Sequence, residues 1–212
     1  MNKERVGALI DAVYAIAMTI LVLELPIPES IEEIGIYISK IVVAVLDYGL
    51  AFVLLFAFWY NQRRINDLVE KHTRITLWLN GLALMMIALM PFAAHLLYRF
   101  GDFTYLFKHS RNDVFIDAFF VGVCLTADLL INSSLWLTYR TRCYIAENRK
   151  LILEISRSRQ IAVVVSIVVM ALSILLPGSD RRSLIVLPLV LIFEEEVLKT
   201  WDFIRQHMPS SN

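Results

Sequence analysis

Long apolar stretches, separated by short charged clusters, run through most of the chain. A helix needs about 20 consecutive apolar residues to cross a hydrocarbon core of about 30 Å, and several stretches approach that length. The pattern predicts an all-α membrane protein with a single transmembrane domain over residues 1–212. Its six spanning helices are expected at residues 6–25, 36–62, 75–98, 113–138, 160–177 and 183–199.

The sixth predicted helix departs from the pattern of the others. Its apolar stretch is followed at once by Glu194, Glu195 and Glu196. Carboxylates at that position need an interface or a wet cavity, so a half-length or tilted helix is the alternative there.

Composition strengthens the membrane interpretation and narrows the chemistry. Hydrophobic residues make up 58% of the chain and charged residues 19%, against about 45–50% and 25% in an average soluble domain. Cys124 and Cys143 are expected to be free thiols. The chain has no phosphate-binding glycine loop, no HExxH or GxSxG motif and no TVGYG-type carbonyl filter. We therefore expect no enzyme activity, no cofactor, no bound metal and no nucleic-acid partner.

The distribution of basic residues predicts the orientation. The N-terminus, the second and fourth loops and the C-terminus together hold 14 Lys and Arg residues, whereas the opposite side holds five. Cytoplasmic segments of membrane proteins carry the excess of Lys and Arg. We expect a multi-pass protein of the cell membrane with both termini in the cytoplasm, which also requires an even number of spans.

The first predicted helix carries polar residues at unusual depth. On a wheel of about 100° per residue, one stripe contains a cation, a hydroxyl and aliphatic side chains, namely Arg5, Ala12, Ile16, Thr19, Ile20 and Leu23, and Asp11 points away from it. The stripe fits ordinary helix packing, with Thr19 bonded to its own backbone. It also fits the wall of a pore gated by dewetting. On spacing alone helix packing is the preferred interpretation, but periodicity does not exclude a pore wall.

Three groups of residues resemble the TMEM175 family of cation channels. The first helix of that family reads R-x-x-x-F-S-D, then A-I-x-x-T-x-L-x-L-E, matched here by Arg5, Asp11, Ala15, Ile16, Thr19, Leu21, Leu23 and Glu24. The end of the second helix and the third helix are similar at Trp59, Asn61, Gln62, Arg63 and Arg64, at Leu77 to Asn80, and at Pro91 and Phe92. The resemblance covers about the first 100 residues.

The resemblance implies a homotetramer of six-helix subunits in the lipid bilayer, with the first helix of each subunit lining a pore. It implies a potassium-selective, leak-type channel without a carbonyl filter, whose permeant ion is K⁺. The pore constriction maps onto Ile16, Ile20 and Leu23, and the hydroxyl layer onto Thr19. A polar network that anchors the first helix maps onto Arg5, Asp11, Trp59, Asn61, Gln62, Trp78 and Asn80.

The chain departs from the family pattern inside that network. Leu9 and Ile10 replace Phe-Ser, and Gln62 and Arg63 replace two histidines, which removes groups able to titrate near neutral pH. Arg63 and Arg64 either balance Asp11 or belong to the cytoplasmic charge cluster, and the second interpretation is preferred. A proton-coupled or proton-permeable transporter using Asp11, Glu24 and Asp47 is the alternative function.

Overall fold

The structure, a computed structural model, describes residues 3–23, 25, 34–100 and 113–175. These residues form five long helices and one short 3₁₀ turn, Ala146–Asn148. The helices are α1 (Lys3–Leu23), α2 (Ile34–Leu68), α3 (Arg74–Phe100), α4 (Asp113–Arg140) and α5 (Arg149–Leu175). No β-strand occurs within these ranges, so the all-α prediction is confirmed. The predicted sixth helix, 183–199, lies outside the described residues.

The boundaries of the first three helices follow from local sequence. α1 ends at Leu23, shortly before Pro26 and Pro28, which cannot continue a helix. α3 begins after Thr73, whose hydroxyl oxygen accepts a hydrogen bond from the Thr76 backbone N–H at 3.2 Å and so caps the helix. α2 has 35 residues, and a helix of that length spans about 52 Å. It therefore extends well beyond a hydrocarbon core.

Three of the described helices contain a segment long and apolar enough to cross a membrane. These segments are Lys3–Leu23, Arg74–Leu96 and Ala118–Arg140. They lie in α1, α3 and α4 and correspond to the first, third and fourth predicted spans.

The fifth helix begins earlier than the hydropathy pattern predicts. The expected start lay near residue 160, whereas α5 begins at Arg149. Its first three turns carry charged residues, which hide a helix from a search for apolar stretches. Ile152, Ile155 and Arg159 are nevertheless buried along one side of this segment. Their separation of three and four residues is the spacing of one helix face.

The helices pack around a common interior. α3 packs most extensively against α4, α1 packs against both α2 and α3, and α5 packs against α4. Small side chains allow the close approach of α3 and α4, because Ala83, Ala93 and Ala127 are fully buried there. α1 has one side packed against α2 and α3 and another side that the described residues leave exposed.

Main-chain hydrogen bonds join the α2–α3 and α4–α5 connections at one end of the molecule. The Cys143 carbonyl accepts from the backbone N–H groups of Glu70 (3.0 Å) and Lys71 (3.4 Å), and the Ile145 N–H donates to the Leu68 carbonyl at 3.2 Å. Lys3, at the start of α1, donates to the Asp67 carbonyl at 3.4 Å. The N-terminal segment and the two basic connections thus lie at the same end.

Candidate pore face and anchoring network

The stripe predicted from the helix wheel lies on the side of α1 that is exposed among the described residues. Ile16 is 59% exposed and Leu23 is 77% exposed, and Ile20 and Thr19 are exposed as well. The stripe positions Arg5 and Ala12 are also exposed. Large aliphatic side chains that the described residues leave this exposed can face lipid, another protein surface or a narrow pore.

Leu9 belongs to the same face, although the sequence marks it only as a departure from the family motif. It precedes Ile16 by seven residues, a separation that returns to within about 20° on a helix. Leu9 is exposed like Ile16. The position of Leu9 on the helix wheel, close to that of Ile16, would have been enough to include Leu9 in the stripe from the sequence.

The opposite side of α1 is buried against α2 and α3. Its side chains are Val6, Ile10, Tyr14, Ala17 and Leu21, all of which belong to the hydrophobic core. The two sides are therefore distinct in environment, and a rotation of α1 about its axis would expose core residues. The stripe is held in a fixed direction by this packing.

Thr19 donates its hydroxyl proton to its own helix. The Thr19 Oγ1 lies 2.8 Å from the Ile16 carbonyl oxygen. A threonine hydroxyl has one proton and two lone pairs, so the oxygen keeps its lone pairs for an electropositive partner on the exposed side.

Asp11 binds two groups of α2. One carboxylate oxygen accepts from the Trp59 indole N–H at 2.9 Å, and the other accepts from the Arg63 guanidinium at 3.0 Å. The preferred expectation placed Arg63 in the cytoplasmic charge cluster, and the structure corrects it. The cation lies one helical turn after Trp59, which brings both donors to the same carboxylate.

Gly7 provides the space for the Arg63 side chain. A Cβ atom at this position would lie 2.7 Å from the Arg63 Nη1 and 3.1 Å from the Asn66 Nδ2. The absence of a side chain at Gly7 thus leaves room for the arginine to reach across to Asp11.

A second, fully buried group of hydrogen bonds connects four helices. The Tyr14 hydroxyl donates to the Gln62 Oε1 at 2.9 Å, and the Gln62 Nε2 donates to the Asn80 Oδ1 at 3.1 Å. Asn80 in turn donates to the Ser134 Oγ at 3.0 Å and to the Thr76 carbonyl at 2.8 Å. Buried polar groups are retained when each finds a partner. This buried relay of Tyr14, Gln62, Asn80 and Ser134 therefore fixes the relative positions of α1 to α4.

Only part of the buried relay was predicted from the sequence. Gln62 and Asn80 were predicted, whereas Tyr14 and Ser134 were missed. Tyr14 stands about 160° from Ile16 on the helix wheel, which was the available signal for a core-facing hydroxyl. Ser134 had no motif to mark it, since α4 resembles the family only in hydropathy.

Three residues predicted for the network do not join these two groups. Trp78 is 68% exposed and points away from the interior. Arg5 is exposed and Asn61 is half-buried, and neither takes part in the contacts described for Asp11 or Asn80. Within the described residues, the polar contacts of α1 with its neighbouring helices include those of Asp11 with Trp59 and Arg63 and that of Tyr14 with Gln62.

A buried ion pair between α4 and α5 was also missed. The Arg159 Nη1 lies 3.4 Å from the Asp128 Oδ1, and both side chains are almost completely buried. Because the predicted fifth helix began at residue 160, Arg159 was counted among the loop cations. The structure places it inside α5, facing α4.

His72 lies at the joined end of the molecule, between α2 and α3. Its Nε2 is 2.9 Å from the Asn66 Oδ1, an acceptor, so Nε2 carries the proton and Nδ1 is the bare nitrogen. Nδ1 is buried and has no hydrogen-bond partner among the described residues. Burial lowers the pKa of His72 from its ordinary value.

No metal site emerges from the geometry of the described ranges, since they contain no group of three or more His, Cys, Asp or Glu side chains placed to hold an ion. Cys124 and Cys143 are free thiols. The chemistry available at the α1 face is therefore that of aliphatic side chains and hydroxyl oxygens.

Comparison with known proteins identifies related sequences over the first three helices. Residues 5–91 match the family model described as endosomal/lysosomal potassium channel TMEM175. A potassium channel of Chamaesiphon minutus is 34% identical over 97 residues, which is 44% of this chain and 48% of the relative. One from a Chryseobacterium species is 34% identical over 93 residues, 44% of this chain and 47% of the relative. The matched stretch spans about half the length of these relatives.

Solved structures resemble the chain over nearly its whole length. One is the crystal structure of a lysosomal potassium-selective channel TMEM175 homolog from Chamaesiphon minutus, which has a TM-score of 0.68 and 22% sequence identity. The match covers 97% of the present chain and 98% of the homolog. A variant of the potassium channel MtTMEM175, bound to a nanobody–MBP fusion protein, gives a TM-score of 0.65 at 16% identity, covering 95% and 93% of the two chains. These similarities establish the fold.

Proposed function

Residues 5–91 match the TMEM175 family model, and we propose that the chain belongs to this family and is a potassium channel whose pore is lined by α1. The family is one of channels and not of enzymes. The observation that carries the proposal is the stripe of bulky apolar side chains that lies exposed on α1 among the described residues.

Four copies of the chain close the proposed pore. α1 of each subunit presents Ile16, Ile20 and Leu23 toward the axis, and the buried side of α1 rests on α2 and α3 of the same subunit. The uncovered stripe supports this arrangement because a monomer would leave it exposed. The joined basic end lies in the cytoplasm of the proposed cell-membrane protein, following the excess of Lys and Arg there.

Selection among cations arises from the cost of removing water. Rings of aliphatic side chains exclude water from a narrow passage, so an ion crosses only after giving up part of its hydration shell. Potassium holds its shell less tightly than sodium because its charge is spread over a larger radius. The constriction therefore passes potassium at lower cost, without backbone carbonyls arranged as a filter.

Thr19 supplies oxygen atoms beside the proposed constriction. Its proton is donated to the Ile16 carbonyl, so the lone pairs of four hydroxyl oxygens are available to a cation on the axis. Hydroxyl oxygen is a hard ligand that suits an alkali-metal ion. The threonine layer compensates part of the water lost between the rings of Ile16 and Ile20.

The carrier alternative finds less support than the channel. Its proposed proton acceptor on α1, Asp11, already binds Trp59 and Arg63. The side chains of the other two candidates, Glu24 and Asp47, lie outside the described part of the structure. A carrier would also give a slow, saturable flux instead of an ohmic current.

Planar-bilayer recording of the purified chain under opposed potassium and sodium gradients tests the proposal. We expect an ohmic current that reverses near the potassium equilibrium potential. Ile16→Asn replaces an apolar ring by amides, so sodium conductance should rise about tenfold or more, equivalent to about 1.4 kcal/mol of barrier. Thr19→Val should lower potassium conductance because it removes the oxygen ligands.

Val22→Asn is the matched control. Val22 lies on the same helix and is exposed, but it stands about 120° from Ile16 on the wheel. Its conductance and selectivity should equal those of the unmodified chain. If Ile16→Asn and Thr19→Val also leave both properties unchanged, the α1 stripe does not line the conduction path.

A further inference from the structure

A buried pair of opposite charges lies behind the proposed pore helix. Asp128 of α4 and Arg159 of α5 are 1% and 2% exposed, and the Arg159 Nη1 is 3.4 Å from the Asp128 Oδ1. Ionisable side chains within the membrane are costly and mark functional positions. The conduction path proposed above uses neither residue.

The pair is held by charge with little help from hydrogen bonding. Neither carboxylate oxygen of Asp128 nor the Arg159 Nη1 has a correctly aligned hydrogen-bond partner among the described residues. An attraction of this kind varies only gradually with the separation of α4 and α5, and no directional hydrogen bond fixes a single geometry for the pair. The pair is therefore suited to a contact that shifts between two positions.

Tyr14 connects the buried pair to α1. Its hydroxyl donates to Gln62 of the buried relay, which continues through Asn80 to Ser134 of α4, the helix that carries Asp128. Tyr14 stands nearly opposite Ile16 on the same helix. A displacement of the Tyr14 side is transmitted to the exposed stripe, because α1 is one continuous helix.

We propose that Asp128 and Arg159 are positioning residues of the pore: their attraction holds α5 against α4 behind Tyr14 and thereby sets the resting position of α1. This inference rests on the proposed channel function. It assigns the balance between open and closed states to a buried charge pair outside the conduction path. Asp128 and Arg159 should accordingly alter how often the pore opens, and not how fast ions cross the open pore.

Single-channel recording separates those two quantities. Arg159→Gln and Asp128→Asn each leave one unbalanced partner, and each should change the open probability about fivefold or more at unchanged single-channel conductance. The double variant D128N/R159Q restores a neutral pair, so its open probability should return toward that of the unmodified chain. Arg159→Lys keeps the charge and should have the smallest effect of the changes at this site.

Arg149→Gln is the matched control, since Arg149 is an exposed arginine at the start of the same helix. It should behave as the unmodified chain. A coupling test adds Tyr14→Phe, which should change the open probability less in the double variant than in the unmodified chain. Folded Arg159→Gln and Asp128→Asn channels with normal open probability would overturn the inference. The single variants are replaced by the double variant where they do not fold. The inference is then overturned if the double variant has normal open probability and Tyr14→Phe changes its open probability as much as it does in the unmodified chain.

A second readout does not depend on conduction. Ile16→Cys in a Cys143→Ser background offers one accessible thiol, because Cys124 is buried. Its rate of modification by a membrane-impermeant thiol reagent should change when Arg159→Gln is added to that background. If the rate of thiol modification is the same with and without Arg159→Gln, the positioning role is overturned, even for a chain that carries no current. If the rate changes but the chain carries no potassium current, only the channel proposal is contradicted.

Discussion

The Arg63 guanidinium and the Asp11 carboxylate form an ion pair of 3.0 Å that crosses from α2 to α1. Both side chains remain about two-fifths exposed, so solvent weakens the pair, and isolated pairs of this kind contribute about 0–1 kcal/mol. The Trp59 indole gives the same carboxylate a second, neutral hydrogen bond. Asp11 is thus an acceptor shared by two side chains of α2.

The shared acceptor predicts a graded response to substitution. Arg63→Gln removes only the charge pair and should lower the free energy of unfolding by less than about 1 kcal/mol. Asp11→Ala also leaves the Trp59 N–H without its acceptor and should cost about 1–2 kcal/mol more. Thermal unfolding in detergent measures both, with Arg149→Gln as an exposed-arginine control. Equal losses for Asp11→Ala and Arg63→Gln would show that the indole bond contributes nothing.

Two glycines that differ in surroundings provide a matched pair. Gly7→Ala places a methyl group against the Arg63 Nη1, so the guanidinium must move and the contact with Asp11 weakens. Gly81→Ala in α3 meets nothing within 4 Å and should stabilise its helix by up to about 1 kcal/mol. Melting temperatures should fall for Gly7→Ala and hold or rise for Gly81→Ala. A rise for Gly7→Ala would show that Arg63 adapts without loss.

The buried relay predicts unequal costs along its length. Tyr14→Phe removes one hydrogen bond and leaves the Gln62 carbonyl oxygen without its donor, which should cost about 1 kcal/mol. Asn80→Ala removes hydrogen bonds to three partners and should cost more. Tyr60→Phe is the control, because Tyr60 lies exposed on α2. Chemical or thermal unfolding measures both losses of stability. A larger loss for Tyr14→Phe than for Asn80→Ala would contradict the described hydrogen bonding.

His72 predicts how stability depends on pH. Burial lowers its pKa in the folded chain, so the unfolded chain binds the proton more readily and stability rises with pH. The contribution is complete above the ordinary histidine pKa of about 6.5 and is lost as pH falls through the lower, folded value. Melting temperatures between pH 7.5 and pH 5 should fall less for His72→Gln than for the unmodified chain.

Lys71→Gln is the control for His72, since Lys71 is the exposed residue next to His72 in the chain. Its pH profile should parallel that of the unmodified chain. An unchanged slope in His72→Gln would show that His72 remains neutral in both states or shifts equally in both.

Sequence periodicity was most informative where one helix separates two environments. The wheel of α1 placed Ile16 and Thr19 on one face and Asp11 on another, and the structure finds the first two exposed and the third bound to α2. Such a division follows from the geometry of a single helix, which needs no knowledge of neighbouring chains. Whether the exposed face meets lipid or a pore axis is a property of the assembly, and periodicity carries no information about it.

Pairings between distant residues were beyond the reach of the pattern. Arg63 and Arg159 both looked like members of basic connecting segments, yet each crosses to a carboxylate on another helix. The error at Arg159 came from hydropathy, which ends a predicted helix where charge begins even when the backbone continues. Trp78 shows the reverse case, because a residue matched to a family motif lies exposed on the surface.

The connection between residues 68–71 and 143–145 has a consequence for mutational tolerance. Its hydrogen bonds run between backbone atoms of Leu68, Glu70 and Lys71 and those of Cys143 and Ile145. Side-chain replacement leaves such bonds intact, with the exception of proline where an N–H donates. A saturation scan would therefore score the exposed positions 70 and 71 as permissive to most side chains, while proline at 70, 71 or 145 would remove a hydrogen bond that joins the two connections.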